Sequence, residues 1–334
     1  MKLRLVIVFL LAIAATGCHL IDDDLSVCGA DYLIDYQVQL VTEVNMTIDE
    51  KLSSDVEKPI AESLKKWSQP YFSGRAHDLD MSFYALDGTD ELLEHQSDII
   101  DATSKSYTLY IPRKDYRHLA VVNIAENTDV SLMGGQYASS MHISQRTADT
   151  LSSHSTAVYT ARQLMYMTED TNLVFNVHLY MVSSAVALVV TNEATAAPKM
   201  KDVYISGTAS DFRVNDSVYT YNSKSVIHAD KVCESCYAMV TFPSPDAPAA
   251  SAVSPRVKTA DNALWKLRVY TTMPDGKITE SIISFPYPLH AGVMEIIKIQ
   301  LEDDGSVTVV GSPEVGVSVH LDWKPGDEYE VITG

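Results

Sequence analysis

Four cysteines carry most of the reactive chemistry in this chain of 334 residues, and they sit in two different settings. Cys18 follows the small residues Ala15-Thr16-Gly17 and precedes His19-Leu20-Ile21-Asp22-Asp23-Asp24. Lys2 and Arg4 put positive charge ahead of the apolar run 5–15, which is too short to span a bilayer. An ordinary secretory signal needs no cysteine just past its cleavage point. A bacterial lipoprotein signal does, because the thiol accepts a diacylglyceryl group before the leader is cut. Ala15 is a weaker choice than leucine three places before the cysteine, but the rest of the pattern fits. The sequence predicts a leader over residues 1–17 and lipidation of Cys18.

The second setting is Cys233-Glu234-Ser235-Cys236, a spacing shared by redox pairs, half zinc sites and local disulfides. A redox motif of this spacing opens a helix, whereas the flanks 225–232 and 237–242 read as strand. Residues three apart on one straight strand point to opposite faces. Across a tight turn their Cα atoms come within about 7 Å, which overlaps disulfide range. A hairpin-tip disulfide is the favoured reading, with an inert thiol pair second. Zinc lacks a second ligand pair at suitable spacing. Cys28, Cys233 and Cys236 remain once Cys18 is lipidated, an odd number that leaves at least one thiol free or paired with another chain.

No other residues assemble into a recognisable catalytic set. There is no nucleophile-elbow serine, no phosphate-cradling glycine loop and no zinc-protease helix. His77, His95, His118, His142, His154, His178, His228, His290 and His320 share no metal spacing, and Gly134-Gly135 reads as a turn. The 18 tyrosines suit carbohydrate contact and cross-strand packing equally. The chain therefore reads as a non-enzyme without cofactor or metal. Its net charge of −19 repels phosphate backbones and anionic lipid surfaces, which argues against nucleic-acid binding.

The elements around these residues are mostly strands, with alternation of period two. Tyr32, Ile34, Tyr36, Val38 and Leu40 share one face of the first. Segments 106–111 and 118–124 read as a pair around Pro112-Arg113-Lys114-Asp115, and 173–190 as a central pair apolar on both faces. Pro274-Asp275-Gly276 and Asp303-Asp304-Gly305 mark hairpins, and Asp87-Gly88 a third. One segment breaks the pattern. Ile48, Leu52, Val56, Ile60, Leu64, Trp67 and Tyr71 form a helical stripe over 47–72, capped by Thr47 with Glu50 and interrupted by Pro59. A small polar stretch at 191–199 divides an N-terminal domain, 31–195, from a C-terminal one, 196–334. Residues 18–30 form an acidic tether.

Cys18-His19-Leu20-Ile21-Asp22-Asp23-Asp24-Leu25-Ser26-Val27-Cys28 resembles the start of mature FimB-type fimbrial anchor lipoproteins. Asp80-Met81-Ser82-Phe83-Tyr84-Ala85-Leu86-Asp87-Gly88, Tyr107-Thr108-Leu109-Tyr110-Ile111-Pro112 and the closing strand 315–323 are similar to later strands of that family. The resemblance implies a mainly β fold of two tandem transthyretin-like (Greek-key) β-sandwich domains, here with a helical insertion in the first. It further implies an outer-membrane, cell-surface location in Bacteroidetes-type bacteria, held by the lipid. Pilin or other fimbrial subunits would be the partners, joined by strand donation. Asp22, Asp23 and Asp24 resemble a surface-export signal, although a solvated spacer reads the same. Val315, Val317, Val319, Leu321 and Trp323 form the candidate pairing strand on one face. Completion of its own sheet is the competing reading for that strand. The alternative function is a surface lipoprotein that binds glycans or host proteins without forming a fibre.

Overall fold

The computed structural model describes residues 32–41, 45–72, 78–98, 106–167, 172–192, 198–222, 224–246, 263–311 and 315–323. Cys18, Asp22, Asp23, Asp24 and Cys28 lie outside the described residues, as do the leader and the tether.

Among the described residues, the strands form four sheets. The first holds seven strands: β1 (Tyr32–Val41), β2 (Leu79–Ala85), β3 (Leu92–Asp98), β4 (Ser106–Ile111), β5 (Tyr116–Val122), β9 (Tyr159–Met165) and β10 (Asn172–Met181). Their order is β3-β2-β5-β9-β10-β1-β4. β9 and β10 pair only at Tyr159–Met181 and Thr160–Tyr180, so the sheet creases there into two layers. Leu109, Ile111, Val177 and Leu179 from one layer share a core with Leu79, Phe83, Ala120 and Tyr159 from the other. The crease corrects the expected pairing of 106–111 with 118–124. β4 pairs with β1, and β5 pairs with β2 and β9, because the connection at Pro112 crosses from one layer to the other. The Tyr116 hydroxyl donates to the Pro112 carbonyl at 2.6 Å and braces that crossing.

A smaller sheet covers the outer face of β2, β5 and β9. It joins β6 (Val130–Met133), β7 (His142–Gln145), β13 (Asp211–Arg213) and β14 (Val218–Thr220) in the order β14-β13-β7-β6. Tyr84, Leu119 and Val121 meet Ile143, Phe212 and Phe242 in its core.

The other two sheets face one another. The five-stranded sheet runs β16 (Asp230–Cys233), β17 (Cys236–Thr241), β11 (Ser184–Val190), β20 (Met294–Leu301) and β21 (Val307–Val309). The six-stranded sheet runs β22 (Gly316–Trp323), β19 (Ile278–Phe285), β18 (Trp265–Thr272), β12 (Lys199–Ser206), β15 (Val226–His228) and β8 (Thr150–Ser152). Val186, Leu188 and Met239 interlock with Val203, Leu267 and Ile283 between them. The three expected hairpins form, with Gly88, Gly276 and Gly305 at φ +92°, +86° and +83°. Glycine accepts that left-handed backbone without a Cβ clash.

The apolar segment 173–190 is two central strands of different sheets, β10 and β11, rather than a pair. β11 is buried along both faces, whereas β10 is covered on one face only: Val177 and Leu179 are buried, but Val174 and Tyr180 on the other face are exposed, which corrects the expectation of two apolar-faced strands. Strands therefore cross the 191–199 stretch in both directions. β8 and β11 enter the later pair of sheets, while β13 returns to pair with β7.

The helical stripe forms as two helices, α1 (Asn45–Lys51) and α2 (Lys58–Phe72). Pro59 sits in the first turn of α2, where its missing N–H costs nothing. The start differs from the capping expectation, since Thr47 lies inside α1 and the Ser54 N–H donates to Glu57 Oε2 at 3.1 Å ahead of α2. Ile48, Leu52, Ile60 and Leu64 are buried, but Val56 is 56% exposed because it falls in the turn between the helices. The stripe packs on Ala185, Ala187, Cys236 and Ala238, so it covers the five-stranded sheet as well as the first core. Lys298 Nζ meets Glu57 Oε1 at 2.5 Å, Lys51 Nζ meets Glu295 Oε1 at 3.1 Å, and Trp67 Nε1 donates to Asp230 Oδ2 at 3.2 Å. Burial works against ionisation of Glu57, yet hydrogen bonds from Lys298 and Ser54 hold its carboxyl below the usual range.

Candidate functional site: an open sheet edge

β22 closes one end of the six-stranded sheet, and among the described residues only β19 pairs with it. Val317 lies opposite Ile283 and Val319 opposite Ser281. Ile283 and Ser281 are fully buried, whereas Val317 and Val319 are 37% and 41% exposed. The apolar face of the sheet thus continues one strand beyond the layer that covers it. Between Gly316 and Val319 the strand carries no charge and no proline, the two features that normally blunt an edge. An edge of this kind presents unpaired N–H and C=O groups, and another strand can add to it.

The five residues expected on one face do not keep a single alternation. A register shift between Ile278 and Glu280 places Trp323 opposite Ile278 and His320 opposite Glu280. A bulge inserts one residue and flips the phase of everything beyond it. Val317 and Val319 remain on the core side of the sheet, and Val315 packs against the core. Trp323 falls at a register position on the opposite phase.

A second feature was not legible as a site in the sequence. The outer face of the six-stranded sheet carries a cleft of about 310 Å³ lined by Thr150, Lys201, Asp202, Tyr204, Val226, Arg268 and Tyr270. The rings of Tyr204 and Tyr270 meet edge to face at 5.8 Å, and the Tyr270 hydroxyl donates to Glu280 Oε1 at 2.7 Å. Burial, then the Glu280 carboxylate, pushes the Tyr270 hydroxyl up beyond its ordinary range. Period two puts Asp202 and Tyr204 on one face of β12, and Arg268 and Tyr270 on one face of β18. Only the long-range register Tyr204–Arg268 brings them together.

The cysteines expected at a hairpin tip are there. Cys233 ends β16, Cys236 begins β17, and the two are register partners with free thiols. Of the histidines, His118 and His154 are buried, and His178 lies on an exposed strand position. Among the described residues no helix is long and apolar enough to cross a membrane.

No protein-family model matches the sequence, and no curated protein matches it. Solved structures do resemble the fold. They include the fimbrial anchor protein Mfa2 from Porphyromonas gingivalis, at 11% identity and a TM-score of 0.44 over 87% of this chain and 99% of that one. The tip fimbrial protein Mfa3 from the same organism, with a C-terminal truncation, is similar at 13% identity and a TM-score of 0.41 over 75% and 95%. A candidate adhesin from Bacteroides ovatus is similar at 9% identity and 0.49 over 89% and 97%. All three scores lie below 0.5, so the functional reading rests on the chain's own residues.

Proposed function

We propose that this chain is a non-enzymatic surface lipoprotein that anchors, or forms a minor subunit of, a fimbria at the outer membrane. Cys18 carries the lipid, Asp22–Asp24 direct the chain to the outer face, and pilin subunits join by strand pairing. The tandem transthyretin-like sandwiches belong to the same reading. The observation that carries it is the open, valine-bearing edge of β22. The FimB-like stretch 18–28 supports it independently.

Charging the edge tests this. Val317→Lys together with Val319→Lys removes two apolar cross-strand contacts, each worth about 0.2–1 kcal/mol, and sets two ammonium groups on the pairing edge. The expected result is about a tenfold loss of pilin association, equivalent to about 1.4 kcal/mol. Both valines are partly exposed, so the urea midpoint of the variant should stay near that of the parent. Undiminished pilin binding would count against β22 as the pairing edge. The Tyr204–Tyr270 cleft supports a second reading, glycan or host-protein binding without a fibre. Crosslinking that recovers no pilin, together with measurable glycan affinity, would favour that second reading.

A further inference from the structure

The tip of the β16–β17 hairpin holds two thiols in unequal positions. Cys233 is half-buried and Cys236 fully buried. A register shift between Lys231 and Cys233 makes the two cysteines direct cross-strand partners across the two-residue turn Glu234-Ser235. Residues flanking such a turn have Cα atoms within about 7 Å, inside the range a disulfide spans. Partners in an antiparallel pair project to the same side of the hairpin. Here Cys236 belongs to the core that α2 covers, and Cys233, Val232 and Trp67 pack against that core. A pairing of this kind is compatible with an internal disulfide.

We propose that Cys233 and Cys236 form a thiol–disulfide exchange site, with Cys233 as the attacking sulfur and Cys236 as the resolving one. The substrate class is a disulfide oxidant, either a small-molecule disulfide or the disulfide of a thiol oxidoreductase. The Cys233 thiolate attacks one sulfur of the oxidant, forms a mixed disulfide and releases the first thiolate. Cys236 then gives its proton to that thiolate and attacks the Cys233 sulfur. The Cys233–Cys236 bond forms and the second thiolate leaves, taking up from solvent the proton that Cys233 released on ionising. The protein is oxidised by two electrons, and the oxidant is reduced to two thiols.

The order of attack follows from the surroundings. The Cys236 thiol hydrogen-bonded to Cys233, with backbone groups of Ser235 and Cys236, lowers the Cys233 thiol to about 6 against the opposing effect of burial. The same hydrogen bond and deeper burial push the Cys236 thiol up. Closure staples the tip of the hairpin whose β16 strand begins at Asp230, the acceptor for Trp67 of α2.

The test exposes the full folded chain to oxidised glutathione and maps the peptide containing both cysteines. In the parent, that peptide should lose two hydrogens and resist alkylation until it is reduced. Cys236→Ser should stop at a glutathione adduct on Cys233, while Cys233→Ser should leave Cys236 about tenfold slower to react than Cys233 in the parent. Far-UV circular dichroism matched to the parent shows that each variant has folded. Stable glutathione adducts without an internal bond in the parent would overturn the proposal. So would equal or faster reaction at Cys236, or no reaction at either thiol in the folded chain.

Discussion

Replacing Trp265 with alanine is expected to destabilise the protein by about 3–5 kcal/mol, the usual cost of truncating a large buried aromatic. Trp265 is 1% exposed and stacks on Phe285 with ring centroids 3.8 Å apart and planes 8° from parallel. Its Nε1 donates to the Tyr287 carbonyl at 2.9 Å, so the change also removes that hydrogen bond. These residues join β18 to β19, and β19 in turn holds β22. The loss therefore reaches the proposed pairing edge. Trp265→Phe keeps most of the stack but not the hydrogen bond, and should cost less than half as much. Urea midpoints at constant slope measure both. A change below about 1 kcal/mol for the alanine variant would mean that the stack does not organise this core.

Acid should weaken the fold well above the range where carboxylates titrate. His118 and His154 are fully buried, and desolvation lowers them to about 3 and about 4. His118 Nδ1 lies 3.2 Å from the Ser82 carbonyl, between the rings of Phe83 and Phe175. His154 Nε2 lies 3.1 Å from Gln145 Nε2 and edge-on to Phe242. Both folded values sit below the unfolded value of about 6.5, so below that pH the unfolded chain binds protons that the folded chain refuses. Stability is fully present above about pH 6.5 and falls as pH drops toward the folded values. Between pH 7 and pH 5 each histidine should cost about 2 kcal/mol. Urea unfolding at the two pH values measures the sum, and His118→Phe should remove about half of the difference. A pH-independent midpoint over that window would contradict the burial of both rings as neutral imidazoles.

Local signals carried most of what the sequence revealed. Asp275-Gly276 and Asp304-Gly305 specified their hairpins because turn chemistry is decided within a few residues. Ile48, Leu52, Ile60 and Leu64 gave the helical stripe for the same reason, while its docking on Ala187 and Ala238 depends on distant strands. Segment 173–190 was ambiguous because β11, buried on both faces, lacks the alternation that would show where one sheet ends and the next begins. The bulge in β22 left no mark in the valine pattern, since it depends on how Ile278 and Glu280 pair. The Tyr204–Tyr270 cleft needed a register between strands some distance apart in the chain. Cys233 and Cys236 were legible as a hairpin tip, but their unequal burial was not.

The most direct test of surface anchoring is fractionation of cells that make the Cys18→Ala chain. A diacylated or triacylated cysteine binds a bilayer far more firmly than a single chain, because each buried CH₂ adds about 0.8 kcal/mol. Without that cysteine, the protein should leave the membrane fraction and fimbriae should be shed into the medium. Retention of both the protein and the fibres at parental levels would contradict the account.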